Sequence, residues 1–138
     1  MKKNIAGILL LGLALVLCAC TAAPSKTVIK TSVGDLAIAS TQTVNTVHGV
    51  AAPENYTILL IKLERVDGKD FLVEDLQKAQ MDGKVVILGE DGAPYACTMG
   101  GLLEDGSMAL GCPLPASFKK STLSWDGNPA IEISLSSK

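Results

Sequence analysis

Hydrophobic and polar positions alternate in short stretches over most of this chain, and small polar clusters interrupt them at close intervals. Five Asp-Gly pairs, at Asp67-Gly68, Asp82-Gly83, Asp91-Gly92, Asp105-Gly106 and Asp126-Gly127, punctuate the pattern. Such pairs supply the positive φ angles that tight hairpins demand. The segments between them are rich in β-branched and apolar residues and suit strands better than crossover helices. Asp35 to Ser40 is expected to form one strand, with Leu36 and Ile38 on a shared face, and a second is expected within Gln42 to His48. Tyr56 to Val66 is the longest strand candidate. Its run Ile58-Leu59-Leu60-Ile61 does not alternate, which predicts a central strand buried on both faces, whereas Leu63 alternates with Lys62 and Glu64.

Later in the chain, Lys84 to Leu88 and Tyr95 to Met99 flank Glu90-Asp91-Gly92 and predict a hairpin. Ser107 to Leu114 follows Asp105-Gly106 and is expected to pair back on the same sheet. Thr122 to Trp125 and Ala130 to Leu135 predict a last hairpin, with Ile131, Ile133 and Leu135 on one face. Helical spacing is confined to Val73 to Met81, through Val73, Leu76 and Gln80, and predicts no more than a single turn. About seven antiparallel strands in one domain make an all-β sandwich the expected fold, because two sheets must cover each other's apolar faces. A small barrel is the main rival. Parallel order would need long connections that the sequence lacks.

The first 20 residues break this pattern. Lys2 and Lys3 precede thirteen apolar or small residues, Ile5 to Leu17, and Leu17-Cys18-Ala19-Cys20 follows. This is the layout of an export signal, expected as a helix in transit. A spanning anchor needs about 20 apolar residues, and Thr21-Ala22-Ala23-Pro24-Ser25 ends the run too early. The whole chain is 48% hydrophobic, but this segment contributes 15 of about 66 apolar residues, so the remainder is close to an ordinary soluble protein. Without Lys2 and Lys3, 10 basic residues face 14 acidic ones, a net charge of −4 that argues against nucleic-acid binding.

Leu17-Cys18-Ala19-Cys20 resembles the lipobox of bacterial lipoproteins. The resemblance implies cleavage before Cys20 and lipidation of its thiol with diacylglyceryl, palmitate included, which makes the membrane a partner through that anchor. Cys18 is the competing position, but it would place bulky Leu17 where the family's signal peptidase expects a small residue. Ordinary secretion with cleavage after Ala22 is the alternative. The expected organisation is a signal peptide at 1–19, a lipid-anchored linker at 20–32, and a folded domain at 33–138. Val28 and Ile29 are placed to add an edge strand. The expected location is extracytoplasmic, on the bacterial cell membrane; Thr21 lacks the aspartate associated with inner-membrane retention, which leaves the outer membrane open where one exists.

Beyond the signal segment only Cys97 and Cys112 remain, an even pair that predicts a disulfide in an exported chain. No catalytic constellation, cofactor motif or metal-ligand spacing is apparent. His48 is the only histidine, and no Gly-x-Ser-x-Gly elbow or EF-hand spacing occurs. The adjacent acids Glu74-Asp75, Glu90-Asp91 and Glu104-Asp105 read as turn chemistry, not as carboxyls facing across a cleft. Trp125 is the candidate ligand contact among five aromatics, although its position before a turn also fits a buried sandwich tryptophan, which is the favoured reading.

From Gly34 to Leu135 the chain also looks like the immunoglobulin-like domain of unknown function found in bacterial lipoproteins and secreted antigens. The residues that carry this are Gly49-Val50-Ala51-Ala52-Pro53 before Tyr56 to Leu63, then Asp91-Gly92-Ala93-Pro94-Tyr95, and Leu123-Ser124-Trp125-Asp126-Gly127-Asn128-Pro129. The resemblance implies a sandwich in an accessory role and supplies no catalytic residues. The expected function is a non-catalytic binding module that engages an envelope protein or an extracellular ligand through loops or a sheet edge. The competing readings are an enzyme or metal protein assembled from His48, Cys97, Cys112 and the acidic turns, and a passive surface antigen or spacer.

Overall fold

The structure is a computed structural model that describes residues 27–81, 85–126 and 131–135. The expected signal peptide, Cys20, the Asp82-Gly83 pair and residues 127–130 lie outside the described residues. Eleven strands and one helix are present among them. They are β1 (Val28–Thr31), β2 (Gly34–Val44), β3 (Thr46–Val47), β4 (Val50–Ala51), β5 (Tyr56–Arg65), α1 (Val73–Met81), β6 (Val85–Leu88), β7 (Pro94–Ala96), β8 (Met99–Leu102), β9 (Met108–Pro115), β10 (Lys120–Trp125) and β11 (Ile131–Ser134). Sheet one has the order β1-β2-β5-β9-β8, sheet two the order β11-β10-β6-β7, and β3 and β4 form a separate two-stranded ribbon. Every pairing is antiparallel. The chain is therefore an all-β sandwich, with more and shorter strands than the seven expected.

β5 lies between β2 and β9, as its unbroken apolar run predicts. Leu59, Ile61 and Leu63 point into the core opposite Cys112, Leu110 and Met108. Ile58 faces the other way and is nonetheless fully buried. Sheet two contributes Val85, Ile87, Leu123, Trp125, Ile133 and Leu135 to the same core. Burying a large aliphatic side chain contributes about 1.5–3 kcal/mol, so this layer supplies most of the driving force for folding.

Four details differ from the sequence reading. The strand expected over Asp35 to Ser40 runs on to Val44 as β2, with a register shift between Ile38 and Ser40, and the second expected within Gln42 to His48 is only the two-residue β3. A bulge lets one continuous strand reverse which alternate positions face inward. Ile38 faces Leu63 before it, and Thr41 faces Ile61 after it. The strand expected over Tyr95 to Met99 is instead divided between two sheets, with β7 in sheet two and β8 in sheet one. The linker expected to run to residue 32 gives way at Val28 to β1, the edge strand that Val28 and Ile29 are placed to add, with Ile29 buried opposite Leu36.

The fourth difference is α1, nine residues long rather than a single turn. Its buried side is Asp75 and Ala79, with Leu76 packed against the core and Phe71 buried just before the helix; Val73 is exposed. The Asp75 carboxylate accepts the Leu72 N–H at 2.9 Å. An acid at the third helical position that reaches back to the N-cap amide is half of a capping box. With Glu74 it also suits the positive end of the helix dipole.

The turns follow one recipe three times. At 65–68, 89–92 and 103–106 the glycine N–H donates to the carbonyl three residues earlier, at 3.0–3.1 Å. Gly68, Gly92 and Gly106 have φ of 73°, 75° and 79°. Asp67, Asp91 and Asp105 each accept, at 3.0 Å, the N–H two residues further on. At 89–93 and 103–107 the flanking residues also pair, through Gly89 N–H to Ala93 O at 3.0 Å and Leu103 N–H to Ser107 O at 2.9 Å. This is a type I turn followed by a left-handed glycine, the common three-residue hairpin loop. Glycine takes the positive φ, and the aspartate side chain fastens the turn.

Ser121 is buried at 2% exposure on β10, and its hydroxyl has no hydrogen-bond partner among the described residues. An unsatisfied buried hydroxyl carries a desolvation penalty of about 1–3 kcal/mol. Ser121→Ala is therefore expected to raise stability by roughly 1 kcal/mol, read as a higher denaturant midpoint at unchanged slope; a lower midpoint would refute it.

Candidate functional site

Among the described residues, a polar concavity lies at one end of the sandwich, where β5 leaves for α1 and the β8–β9 turn comes alongside. It encloses about 180 Å³ and is lined by Glu64, Arg65, Lys69, Asp70, Asp105 and Ser107, together with Gly68 and Gly106. The Phe71 N–H donates to Gly106 O at 2.9 Å and joins the two walls. A side chain at Gly106 would collide with Asp70 and would also need the left-handed backbone that φ of 79° requires.

Arg65 and Asp105 in its wall are already paired. Arg65 donates from Nε and Nη2 to the two Asp67 carboxylate oxygens at 3.1 and 3.0 Å, a bidentate fork. Its Nη1 lies 3.8 Å from the Asp75 carboxylate, which is mostly buried. Lys62 Nζ donates to Asp105, which also accepts the Ser107 hydroxyl and N–H. Among the described residues no group of three His, Cys, Asp or Glu side chains could hold a metal ion. The concavity is lined by charged side chains, with acids in excess.

These pairs move the proton affinities of their members. The Arg65 fork, aided by the Lys69 N–H, holds Asp67 down at about 2, and the Lys62 and Ser107 hydrogen bonds hold Asp105 well below the usual carboxylate value of 3.8. Carboxylates depressed in the folded state stabilise it above their ordinary pKa and lose that contribution as pH falls through the folded value. Stability is expected to fall from about pH 4 toward pH 2, and Asp67→Asn and Asp105→Asn should each flatten that decline. Denaturant midpoints measured across this window test it, and an unchanged slope in both variants would contradict the assignment. Because both groups are exposed, the effect is small.

At the opposite end, Glu90 accepts the Lys119 and Lys120 N–H groups at 2.6 and 2.9 Å. The Tyr95 hydroxyl donates to Asp91 at 2.8 Å, an interaction that raises its pKa to about 12. The Tyr95 ring meets Phe118 edge to face at 5.8 Å. A second, more apolar depression of about 130 Å³ lies on the outer face of sheet one, between Leu60, Leu103 and Ala109, with Ser40, Gln42 and Lys62 around them.

Cys97 and Cys112 are joined by a disulfide, with sulfurs 2.04 Å apart and Cα atoms 4.1 Å apart. Cys97 sits where the chain passes from sheet two to sheet one, and Cys112 lies in β9, so the bond ties the crossover to the core. It leaves neither thiol available as a ligand or nucleophile. His48 occupies the β3–β4 turn at φ 48°, with its Nε2 over Gly101 on sheet one. Trp125 is 1% exposed and packs in the core. A ligand contact through Trp125 is thereby corrected: its indole faces the opposing sheet on the inward side of β10, not solvent. Cys20 lies outside the described residues.

The sequence reading missed the concavity, because Arg65 and the 103–107 turn are distant along the chain and meet only when β5 pairs with β9. Fold and site together define an all-β sandwich with a disulfide-fixed sheet crossover and a charged end face. Comparison with protein-family models, with curated proteins and with solved structures gave no match.

Proposed function

We propose that this chain is a lipid-anchored, extracytoplasmic β-sandwich module that binds an envelope protein or extracellular ligand and carries out no catalysis. The observation that carries the reading is the buried Cys97–Cys112 disulfide. Disulfides of this kind persist where thiols are oxidised, outside the cytoplasm. The basic start, the Ile5 to Leu17 run and Leu17-Cys18-Ala19-Cys20 supply the matching address, and Cys20 is the residue that takes the lipid. The likeness to immunoglobulin-like domains of bacterial lipoproteins supports an accessory role. The charged concavity around Arg65 and Asp105 and the depression at Leu60 are the surfaces on which recognition would fall.

Intact-mass spectrometry of the protein isolated from bacterial membranes tests this reading. The expected mature chain begins at Cys20 and carries a diacylglyceryl group, and Cys20→Ser abolishes acylation. A mature chain cut after Ala22, without acyl groups, would overturn it.

A further inference from the structure

We infer that the β1 edge of the sandwich faces the lipid bilayer and that the side bearing α1 and β8 faces outward, an orientation that rests on the lipid anchor at Cys20. β1 is the edge of sheet one, and β8 is the opposite edge. β11, the corresponding edge of sheet two, lies on the β1 side, where the Ser32 N–H donates to Asp126 just beyond β10 at 2.7 Å. On the other side the chain itself joins the two sheets through Cys97 and Thr98. α1 closes that flank, with Gln80 beside Gly100 of β8.

Length decides between the two sides. Eight residue steps separate Cys20 from Val28, and a fully extended chain covers at most about 28 Å over that distance. Four inter-strand spacings of about 4.8 Å place β8 roughly 19 Å from β1. A helix alongside adds about 10 Å. With the α1 side on the bilayer, the tether would have to span the full width of the sandwich and bend around it, which its length does not allow. With the β1 side down it need not stretch at all, since a relaxed chain of eight residues spans about 16 Å.

Charge points the same way. On the β1 side, residues 27–32, 120–126 and 131–135 hold Lys30 and Lys120 against Asp126 and Glu132, with no net charge. On the opposite side, residues 73–81 and 99–107 hold Lys78 against Glu74, Asp75, Glu104 and Asp105. Anionic headgroups repel the second surface and not the first. The bilayer also shields the two open edge strands, whose unpaired backbone groups would otherwise invite pairing with other chains. Partners would then approach from the α1 and β8 side.

The test uses the acylated full chain in nanodiscs of phosphatidylethanolamine and phosphatidylglycerol, with and without a gadolinium-chelating lipid, and reads backbone amide relaxation. Enhancement at Lys30 and Glu132 several-fold above that at Gln80 and Gly101 is expected. Equal enhancement on both sides, or the reverse order, overturns the orientation while the anchor stands. A chain that neither carries acyl groups nor co-purifies with the discs overturns the anchor and the orientation together.

Discussion

Replacing Cys97 and Cys112 together by alanine is expected to destabilise the domain by about 3 kcal/mol, the chain-entropy value for a cross-link closing a loop of this size. The two cysteines are 15 residues apart and bracket β8, its turn and the first part of β9. Without the bond, the unfolded chain regains the freedom of that loop. In the folded state the passage from β7 to β8 is then held only by short strands, three residues in β7 and four in β8. For a domain of this size each kcal/mol corresponds to about 4–8 °C in Tm, so the midpoint should fall by roughly 12 °C or more. Thermal unfolding of the double variant, beside the parent protein with and without reductant, measures it. A shift of only one or two degrees would mean that the bond is incidental to the fold.

Trp125→Ala should cost about 3–5 kcal/mol, the range for truncating a large aromatic in a packed core. Trp125 ends β10 opposite Val85 and is the largest fully buried side chain among the described residues. Its neighbours come from both sheets, and little of the void can close by local shifts. Denaturant unfolding gives the loss. Tryptophan emission checks the placement independently, because this is the only tryptophan in the chain. The folded protein should emit at short wavelength and resist acrylamide quenching, and unfolding should abolish both properties. Red-shifted, readily quenched emission from the native protein would put the indole on the surface and reopen its role as a ligand contact.

Arg65 illustrates why the candidate site is not readable from the chain. It is one of two cations at the polar end of β5, and its significance arises from Asp67 two residues on and Asp75 ten residues on. Asp105 pairs with Lys62 across 43 positions. The sequence marked Glu104-Asp105 correctly as turn residues but gave no sign that the turn would meet the end of β5. The concavity exists only because β5 and β9 are neighbours in register, with Leu63 opposite Met108.

Local chemistry by itself settled much of the architecture. Asp-Gly pairs mark three of the tight turns, because glycine accepts positive φ and aspartate caps the next amide. The Ile58 to Ile61 run identifies a central strand, and the even pair of cysteines beyond residue 20 predicts a bond between them. These properties depend on neighbours within a few residues, or on parity. The tertiary structure decided the rest: the bulge that keeps β2 continuous, the passage between sheets at Cys97 and Thr98, the second turn of α1, and the burial of Trp125. Each depends on what the opposing layer offers. A strand's alternation reveals that one face is apolar, but only the layer that covers that face determines which sheet the strand joins and which charges are left at its end.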